Sequence, residues 1–589
     1  MSLHAVREEY ALNKNTTILD CLLVHAAATP DKPIYTYLDH GEAIGRQSTY
    51  AELAARVDAI AGALCGLGYQ GGRALLLYAN PLEFVEAFLG CLAAGITAVP
   101  LAVPSLKNVD AVESIARNAQ IRCVLAGKRE LRLQPALAER MGDLAWHDAA
   151  DFGTVRAGTS LRRLEQGARA GDDRIAFLQY TSGSTGAPKG VMVSHRNLMA
   201  NEAVISAAMR IHHGSVVVGW LPHYHDMGLI GNLLQPLYQG ARCVLMQPTD
   251  FIQKPIRWLR ALANHGGTVG GGPNFAYDLC VARIPEAERE GLDLSRWEVA
   301  FTGAEPVKHA TIERFLAAYA PHGMRRSAIY PCYGMAESTL LITGVAQGSE
   351  PRSIGLRADA LQLGSPVQFV DAVSPQAINF VSCGVPHPDT RLAIVHPETR
   401  QPLSEGQVGE IWIGGTSVAC GYYGDPEATR HTFGARLAHS PDVSYLRTGD
   451  LGVMHDGQLH IVGRLKDILI VRGRNYAPDD IELTAQQAST ALSHGAGAVF
   501  QCAAAGDARL VLVHELTRQA VRRRPEELRD IGDLVKAEVN VQHGFALHDV
   551  VLIKPGQLPR TTSGKVRRST CRDLYESGAF VRLDVPEIA

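Results

Sequence analysis

The sequence predicts an α/β protein whose large N-terminal domain contains mixed β-sheets flanked by helices. The first observation is an alternation of apolar, strand-like runs with helical patterns from about residue 33 to residue 330. The runs at 74–78 and 175–180 are of the strand type, and residues 50–67 have the period of a helix. The second observation is a change after about Gly384, where short strands dominate and predict a β-rich subdomain.

A third observation places the domain boundary. Asp456-Gly457 lies between alternating apolar residues, which predicts a β-hairpin. Just beyond it, near Gly463, a smaller α+β unit begins, with strand-like runs at 498–500 and 510–514. The chain has 589 residues, several times the size of one domain. We therefore predict a large domain over residues 1–463 and a small domain over residues 464–589.

Composition excludes several classes of protein. Lys and Arg number 57 against 60 Asp and Glu, so the chain has no global attraction for nucleic acid or an anionic membrane. The 11 cysteines are scattered singly, which argues against a disulfide framework or a zinc site and favours a reducing cytoplasm. Residues 1–10 are polar and mixed in charge, so we do not expect them to form a signal peptide. Residues 87–104 carry no charge, but Gly90, Gly95 and two prolines interrupt them, which favours a helix followed by a buried strand over a membrane span.

A loop rich in glycine and hydroxyl groups follows the apolar run at 175–178. Its candidate phosphate-binding residues are Thr181, Ser182, Gly183, Ser184, Thr185, Gly186 and Lys189. Glycines let backbone N–H groups converge on phosphate oxygens, and the hydroxyls and the ammonium group add donors. The spacing is not that of a Walker loop. A flexible linker is the alternative, but linkers do not normally join two apolar strands.

This segment resembles the phosphate loop of the adenylate-forming superfamily, which includes acyl-CoA synthetases, luciferases and peptide-synthetase adenylation domains. Further motifs follow in the family's order over nearly the whole chain. The resemblance implies ATP and Mg²⁺ as cofactors. It also implies that the small C-terminal domain is mobile.

Two motifs resemble the adenine-facing segments of the family. The nucleotide-binding residues that they imply are Gly303, Ala304, Glu305, Cys332, Tyr333, Gly334, Met335 and Ala336. Glu337 follows and would help to hold Mg²⁺ together with Thr185, since Mg²⁺ takes hard oxygen ligands. A glutamate at a helix start is otherwise commonly a partner of the helix dipole.

Three later motifs complete the resemblance. Asp450 would accept hydrogen bonds from the ribose hydroxyls, although a turn aspartate is the alternative, and Arg464 would also reach the nucleotide. Lys466 falls on the hinge position. Lys565 would bridge the substrate carboxylate and the α-phosphate, whereas out of context it would be a surface lysine.

The implied catalytic residues are Lys189, Glu337 and Lys565. A carboxylate must approach an anionic phosphorus while pyrophosphate leaves, so positive charge and N–H donors lower the barrier. No side chain needs to become a covalent nucleophile, and no convincing Cys/His pair or Gly-x-Ser-x-Gly motif is present in the sequence.

Within the superfamily, the segments at 220–229, 272–278 and 381–384 most resemble fatty acyl-AMP ligases. Ala336 fits too, since CoA-forming relatives usually carry threonine there. The resemblance implies a fatty acid substrate and transfer of the acyl group to the phosphopantetheine of an acyl carrier protein. An acyl-CoA ligase is the alternative enzyme, and a catalytically silent adenylate- or acyl-binding protein is the third hypothesis.

The candidate substrate-binding residues are His225, Asp226, Gly272, Asn274 and Tyr277. Glycines at 270–272 beside apolar residues at 275–279 suit an alkyl channel, and equally an ordinary core. Asp226 or Asp278 would bind an amino group if the substrate were an amino acid. His225 is as consistent with a hydrogen-bonded structural histidine as with a contact to the reacting carboxylate.

Two further segments bear on the acyl acceptor. Residues 349–380 exceed the length usual in CoA-forming relatives and contain Leu361, Leu363, Val367, Phe369, Val370 and Phe380. Fatty acyl-AMP ligases carry an insertion there that hinders the domain movement needed for CoA. The second segment is a basic run made of Arg518, Arg522, Arg523 and Arg524. It would steer an acidic carrier protein or, on the simpler interpretation, is a solvated surface.

Overall fold

The computed structural model describes residues 16–585, except 105–108, 134, 136, 138–139, 141–143, 154–172, 182–187, 358–360, 375–376, 468, 472–473, 477, 503–508 and 561–565. Most of the predicted phosphate loop, from Ser182 through Gly183, Ser184 and Thr185 to Gly186, lies outside the described residues. So does Lys565.

The helices follow the predicted periodicity. They are α1 (Ile18–Ala28), α2 (Tyr50–Gly66), α3 (Pro81–Ala93), α4 (Val109–Asn118), α5 (His195–Met209), a π-helix (Met227–Leu234), α6 (Gln235–Gln239), α7 (Pro248–Gln253), α8 (Ile256–His265), α9 (Asn274–Arg283), α10 (His309–Tyr319), α11 (Pro426–Phe433), α12 (Pro478–Ala488), α13 (Pro525–His543) and α14 (Arg568–Glu576). Helix α2 shows the local logic, because the Thr49 side chain accepts from the Glu52 N–H in a capping box.

The strands before residue 345 form two largely parallel sheets. They are β1 (Pro33–Asp39), β2 (Ala43–Thr49), β3 (Arg73–Leu77), β4 (Thr97–Pro100), β5 (Cys123–Ala126), β6 (Ala145–His147), β7 (Ile175–Thr181), β8 (Lys189–Ser194), β9 (Val216–Gly219), β10 (Arg242–Leu245), β11 (Val269–Gly272), β12 (Val299–Thr302), β13 (Ile329–Gly334) and β14 (Leu341–Gly344).

The later strands are mostly antiparallel. They are β15 (Ser353–Arg357), β16 (Phe369–Val370), β17 (Ala377–Val381), β18 (Val385–Pro386), β19 (Thr390–Val395), β20 (Gly409–Gly415), β21 (Ala435–Leu437), β22 (Ser440–His455), β23 (Gln458–Arg464), β24 (Leu469–Val471), β25 (Arg474–Tyr476), β26 (Leu492–Cys502), β27 (Arg509–Leu516) and β28 (Asp549–Ile553).

Sheet topology gives the predicted mixed sheets and β-rich subdomain. One sheet has the order β6-β5-β3-β4-β7-β8 and another the order β18-β14-β13-β12-β11-β9-β10-β1-β2, each parallel inside and antiparallel at an edge. Strands β19 to β23 form the antiparallel subdomain. Helices α2 and α3 pack between the two large sheets in one core, where Phe88 meets Phe177 edge to face.

The uncharged stretch at 87–104 is a helix followed by a strand, as predicted. Helix α3 runs into β4, and Gly90 lets α3 lie close to Ile60 of α2, since a Cβ there would be 2.4 Å from the Ile60 side chain. Within the described residues, no helix has the length and apolar character needed to cross a membrane.

The predicted insertion is a small sheet of order β16-β15-β17. Its residues Leu356, Leu361, Leu363, Val367 and Phe380 pack with the apolar side of the β19–β23 subdomain. Phe369 is not part of this packing: the residue is 47% exposed, and its ring lies tilted against His455.

The last part of the chain has cores of its own. Strands β26 to β28 pack on α12 and α13 on one face and on α14 on the other. The buried residues of these two clusters lie between Leu469 and Cys571, and those of the other clusters between Ile18 and Val462. This distribution is consistent with the predicted boundary at residues 463 and 464, which stays a prediction.

Candidate active site

The predicted site residues follow the carboxyl ends of adjacent parallel strands. Strands β13, β12, β11 and β9 are neighbours in the large sheet, and each ends where a motif begins. Ligands bind at this edge of open α/β sheets because the loops after the strands converge there. A cleft of about 2740 Å³ lies at this edge and extends to the last part of the chain.

One cluster in the cleft joins two predicted catalytic residues through a tyrosine. The Tyr422 hydroxyl donates to Glu337 Oε1 at 2.8 Å, and the Lys189 ammonium lies 4.8 Å from the centroid of the Tyr422 ring. Burial raises the pKa of the Glu337 carboxyl. A nearby cation would favour the ionised form of Glu337. The cluster is therefore suited to stabilising negative charge on a bound phosphate.

Glu337 also fits the predicted role as a Mg²⁺ ligand. Its carboxylate is a hard oxygen donor at the cleft wall, where burial penalises the charged form and a bound cation would offset that penalty. Among the described residues there is no group of three or more His, Cys, Asp or Glu suited to a metal. The donor set therefore suits an ion held by one carboxylate together with phosphate and water.

A second cluster surrounds Asp450, which is 5% exposed. Its Oδ2 accepts from the Tyr333 hydroxyl at 2.7 Å, and its Oδ1 accepts from Arg464 Nε at 2.7 Å. Asp450 and Arg464 are register partners on β22 and β23, so the hairpin itself brings them together. The Asp450 charge raises the pKa of Arg464. Each carboxylate oxygen keeps a further lone pair for a ribose hydroxyl.

The adenine-facing candidates form one wall between these clusters. Residues lining the cleft there are Ala304, Glu305, Cys332, Tyr333, Gly334, Met335 and Ala336. Only glycine fits at residue 334, because a Cβ there would lie 1.9 Å from the Leu340 carbonyl oxygen. Glu305 Oε1 accepts from the Phe275 N–H at 2.6 Å, which fixes this wall to the start of α9. Gly303 lies behind the wall, against the Cys332 carbonyl.

The structure places three of the predicted substrate residues at the cleft. His225, Asp226 and Asn274 line it, and His225 Nδ1 lies 2.5 Å from Asp226 Oδ1. Asn274 accepts from the Lys308 N–H at 3.0 Å through its side chain. His223, which lies in the same motif as His225, is instead a structural histidine. It donates to the Tyr78 carbonyl, and burial lowers its pKa to about 4.

Gly272 and Tyr277 are not brought to the cleft with them. The Tyr277 hydroxyl donates to the Phe301 carbonyl and its ring packs edge to face on Trp258 and Phe315. A Cβ on Gly272 would lie 2.6 Å from the Trp220 ring. The glycines at 270–272 therefore make room for protein atoms, which favours the ordinary core over the alkyl channel as the explanation of these glycines.

Asp278 is engaged within the protein. Its Oδ1 pairs with Arg314 at 2.6 Å, and its Oδ2 accepts from the Thr311 hydroxyl at 2.9 Å. An amino group of a substrate would have to compete with both partners.

The predicted hinge residue Lys466 is exposed in the turn after β23 and lies at the cleft.

Two residues of the site have no counterpart among the predictions. Tyr422 follows a glycine with φ of 125°, and Lys308 lines the cleft together with Asp480 of α12. The aromatic and glycine pattern of residues 420–424 is the signal that would have drawn attention to Tyr422.

The described residues of these separate motifs thus converge on one cleft. The model of the AMP-binding enzyme family matches residues 22–423 of this chain. The chain belongs to this family. Residues 466–582 match the model of the AMP domain of Disco-interacting protein 2-like proteins. The prediction of an adenylate-forming enzyme is confirmed.

Relatives of the family cover nearly the full chain. A medium-chain fatty acid–acyl-carrier-protein ligase of Moorena producens is 38% identical and covers 96% of each chain. A putative fatty-acid–CoA ligase of Mycobacterium tuberculosis is 36% identical over 97% of this chain and 100% of its own. The crystal structure of a fatty acyl-adenylate ligase of Legionella pneumophila with acyl adenylate and pyrophosphate has 35% identity and a TM-score of 0.73, covering 98% of this chain and 99% of that one.

Proposed function

We propose that the protein activates a fatty acid with ATP to acyl-AMP, releases pyrophosphate, and transfers the acyl group to the phosphopantetheine thiol of an acyl carrier protein. The observation that carries the proposal is a single cleft in which the Glu337–Tyr422–Lys189 cluster and the Asp450–Arg464 pair face an apolar wall. Fatty acid ligases among its relatives support the substrate class.

The chemistry follows from these charges. A substrate carboxylate oxygen bonds to the α-phosphorus, the bond to the β-phosphate oxygen breaks, and pyrophosphate leaves with the charge. Asp450 orients the ribose, and Lys189 lowers the repulsion between the two anions. Lys565 acts on the same charge in our proposal. Mg²⁺ held by Glu337 and Thr185 would supply further positive charge to the phosphates.

The pairing of the acidic residues favours a fatty acid over an amino acid. Asp278 is bound by Arg314, and Asp226 lies against His225. One part of the cleft wall is apolar, with Ile205, Met209, Ile211, Leu340 and Leu341. Such a wall binds an alkyl chain by excluding water.

The acceptor is the second half of the proposal. In favour of a carrier protein, the insertion is anchored: Leu356 is fully buried against the β-rich subdomain, and His460 Nδ1 donates to the Phe380 carbonyl at 3.1 Å. An insertion anchored on the large domain opposes rotation of the small one. The relative named as a putative CoA ligase keeps an acyl-CoA ligase as the second candidate.

The basic run supports the carrier less strongly. Its four arginines are all exposed, but Arg524 pairs with Glu527, and α13 continues with Glu526 and Asp530. The surface is therefore of mixed charge. Steering of an acidic carrier by this run stays a prediction.

Two measurements test the proposal in sequence. Pyrophosphate release should depend on a fatty acid and not on amino acids, and its absence with every acid would favour the silent binder. Thioester formation should then be faster with a holo carrier protein than with CoA. The matched control is the apo carrier, which lacks the thiol and should accept nothing. Efficient acyl-CoA synthesis by the intact chain would favour the second candidate.

A further inference from the structure

The π-helix after Asp226 contains two glycines with opposite surroundings. A Cβ on Gly228 would lie 2.0 Å from the Pro222 carbonyl oxygen, so packing requires glycine there. A Cβ on Gly231 would meet only the Leu340 side chain, at 3.6 Å, which is ordinary contact. Gly231 is not one of the glycines that have a positive φ. Neither packing nor backbone conformation requires glycine at residue 231.

Glycine inside a helix is nevertheless unfavourable relative to alanine. A residue that costs stability without a packing reason points to a need for space. Gly231 lines the cleft, and π-helical turns are frequently found at functional sites.

The cleft residues around Gly231 are apolar, and Gly231 follows the predicted substrate-contacting residues along the chain. His225 and Asp226 come directly before the π-helix, and Met227 then lines the cleft on the way to Gly231. The wall beside the π-helix is formed by α5 and the start of β14, which are held together by the Asn201 side chain because it both donates to and accepts from the backbone of Leu341. The cleft-lining residues of this wall are Ile205, Met209, Leu340 and Leu341.

We infer that Gly231 sets the length of acyl chain that the enzyme accepts, because the missing side chain leaves the path between the π-helix and α5 open. The inference deepens the proposed function and rests on it. A side chain at residue 231 projects into this path and shortens it. The head of the substrate at His225 is untouched, so short acids keep their binding mode.

The test is acyl-AMP formation by the full chain with saturated acids from butanoic to octadecanoic acid. Gly231→Leu should move the preferred acid to a shorter chain, and each methylene that loses its apolar contact should lower kcat/KM about fourfold. Butanoic acid should react at nearly the wild-type rate. Gly66→Leu is the matched control, because Gly66 is an exposed helical glycine with nothing within 4 Å of its Cβ.

The outcomes separate this inference from the function beneath it. No acyl-AMP from any fatty acid with the wild type would overturn the proposed function and the inference together. An unchanged chain-length profile in Gly231→Leu would overturn the inference alone. If Gly231→Leu fails to fold, Gly231→Ala, for which there is clearance, should still disfavour the longest acids, and an unchanged profile there would be equally decisive.

Discussion

Replacing Leu356 by alanine tests whether the insertion controls the choice of acyl acceptor. Leu356 is 0% exposed, between the insertion and the β-rich subdomain, and it packs with Val408 and Val453 of that subdomain. A leucine-to-alanine change at a buried position costs about 2–5 kcal/mol. Strands β20, β22 and β23 of the subdomain keep their backbone hydrogen bonds to one another. The lost free energy therefore weakens the contact that holds the insertion.

The expected size of the effect follows from that loss. If the anchored insertion holds the small domain in the adenylating orientation, about 1.4 kcal/mol removed from the anchor shifts the orientation equilibrium tenfold. Acyl-CoA formation by Leu356→Ala should therefore rise about tenfold or more. Pyrophosphate release should stay near the wild-type rate, because the nucleotide clusters do not include Leu356.

The assay compares acyl-CoA and acyl-AMP formation by the same preparations, with limited proteolysis as a readout of insertion release. Val373→Ala is the matched control, since Val373 lies in the same insertion with 87% of its surface exposed. A wild-type rate of acyl-CoA formation in a variant whose insertion is cut faster by protease would refute the reasoning.

Four further outcomes are expected. Asp450→Asn should raise KM for ATP about tenfold to a hundredfold in steady-state assays, because charge-assisted hydrogen bonds to the ribose are weakened; an unchanged KM would contradict the ribose role. Lys565→Ala should lower the rate of adenylation about a hundredfold, while calorimetry should show that ATP still binds. Lys554→Ala is the control and should change neither the rate of adenylation nor the binding of ATP. Burial and the Asp479 charge raise the pKa of Asp480 to about 7, so the unfolded state loses a proton that the folded state keeps, and the contribution of Asp480 to the free energy of unfolding falls between about pH 4 and pH 7. Asp480→Asn should therefore raise Tm more at about pH 8 than at about pH 5; an equal gain at both would contradict the raised pKa. Reversing the charges of the basic run should slow transfer to a carrier protein only at low salt; equal rates there would remove it from the docking surface.

The regular elements were predictable because their signals are local. The helical period of residues 50–67 gave α2, and its capping threonine is adjacent in sequence. Asp456-Gly457 forms the predicted hairpin turn with φ of 49° and 70°, which only such residues adopt readily. Each motif could likewise be placed at a strand end, since the order of apolar runs and loops is a property of the sequence alone.

The roles of individual residues in the wall were less accessible. Gly272 and Tyr277 lie in an apolar segment that suits a channel and a core equally, and the decision depends on Trp220 and Phe301, which are distant in sequence. Tyr422 was missed for the same reason, because its hydroxyl meets Glu337 only through the tertiary fold. Local pattern identifies the candidates, whereas long-range packing decides which side chain reaches the cleft.

The insertion and the nucleotide site are connected through one short segment. Leu465 packs against the cluster that anchors the insertion, its N–H donates to the Gly449 carbonyl at 2.8 Å, and Lys466 follows it at the predicted hinge. Arg464, on its other side, holds Asp450. The predicted rotation about Lys466 would begin directly beside the contacts of Leu465 and of the Asp450–Arg464 pair. We therefore predict that an insertion that stabilises Leu465 favours the orientation in which Asp450 and Arg464 are paired, and so favours adenylation over acyl-CoA formation.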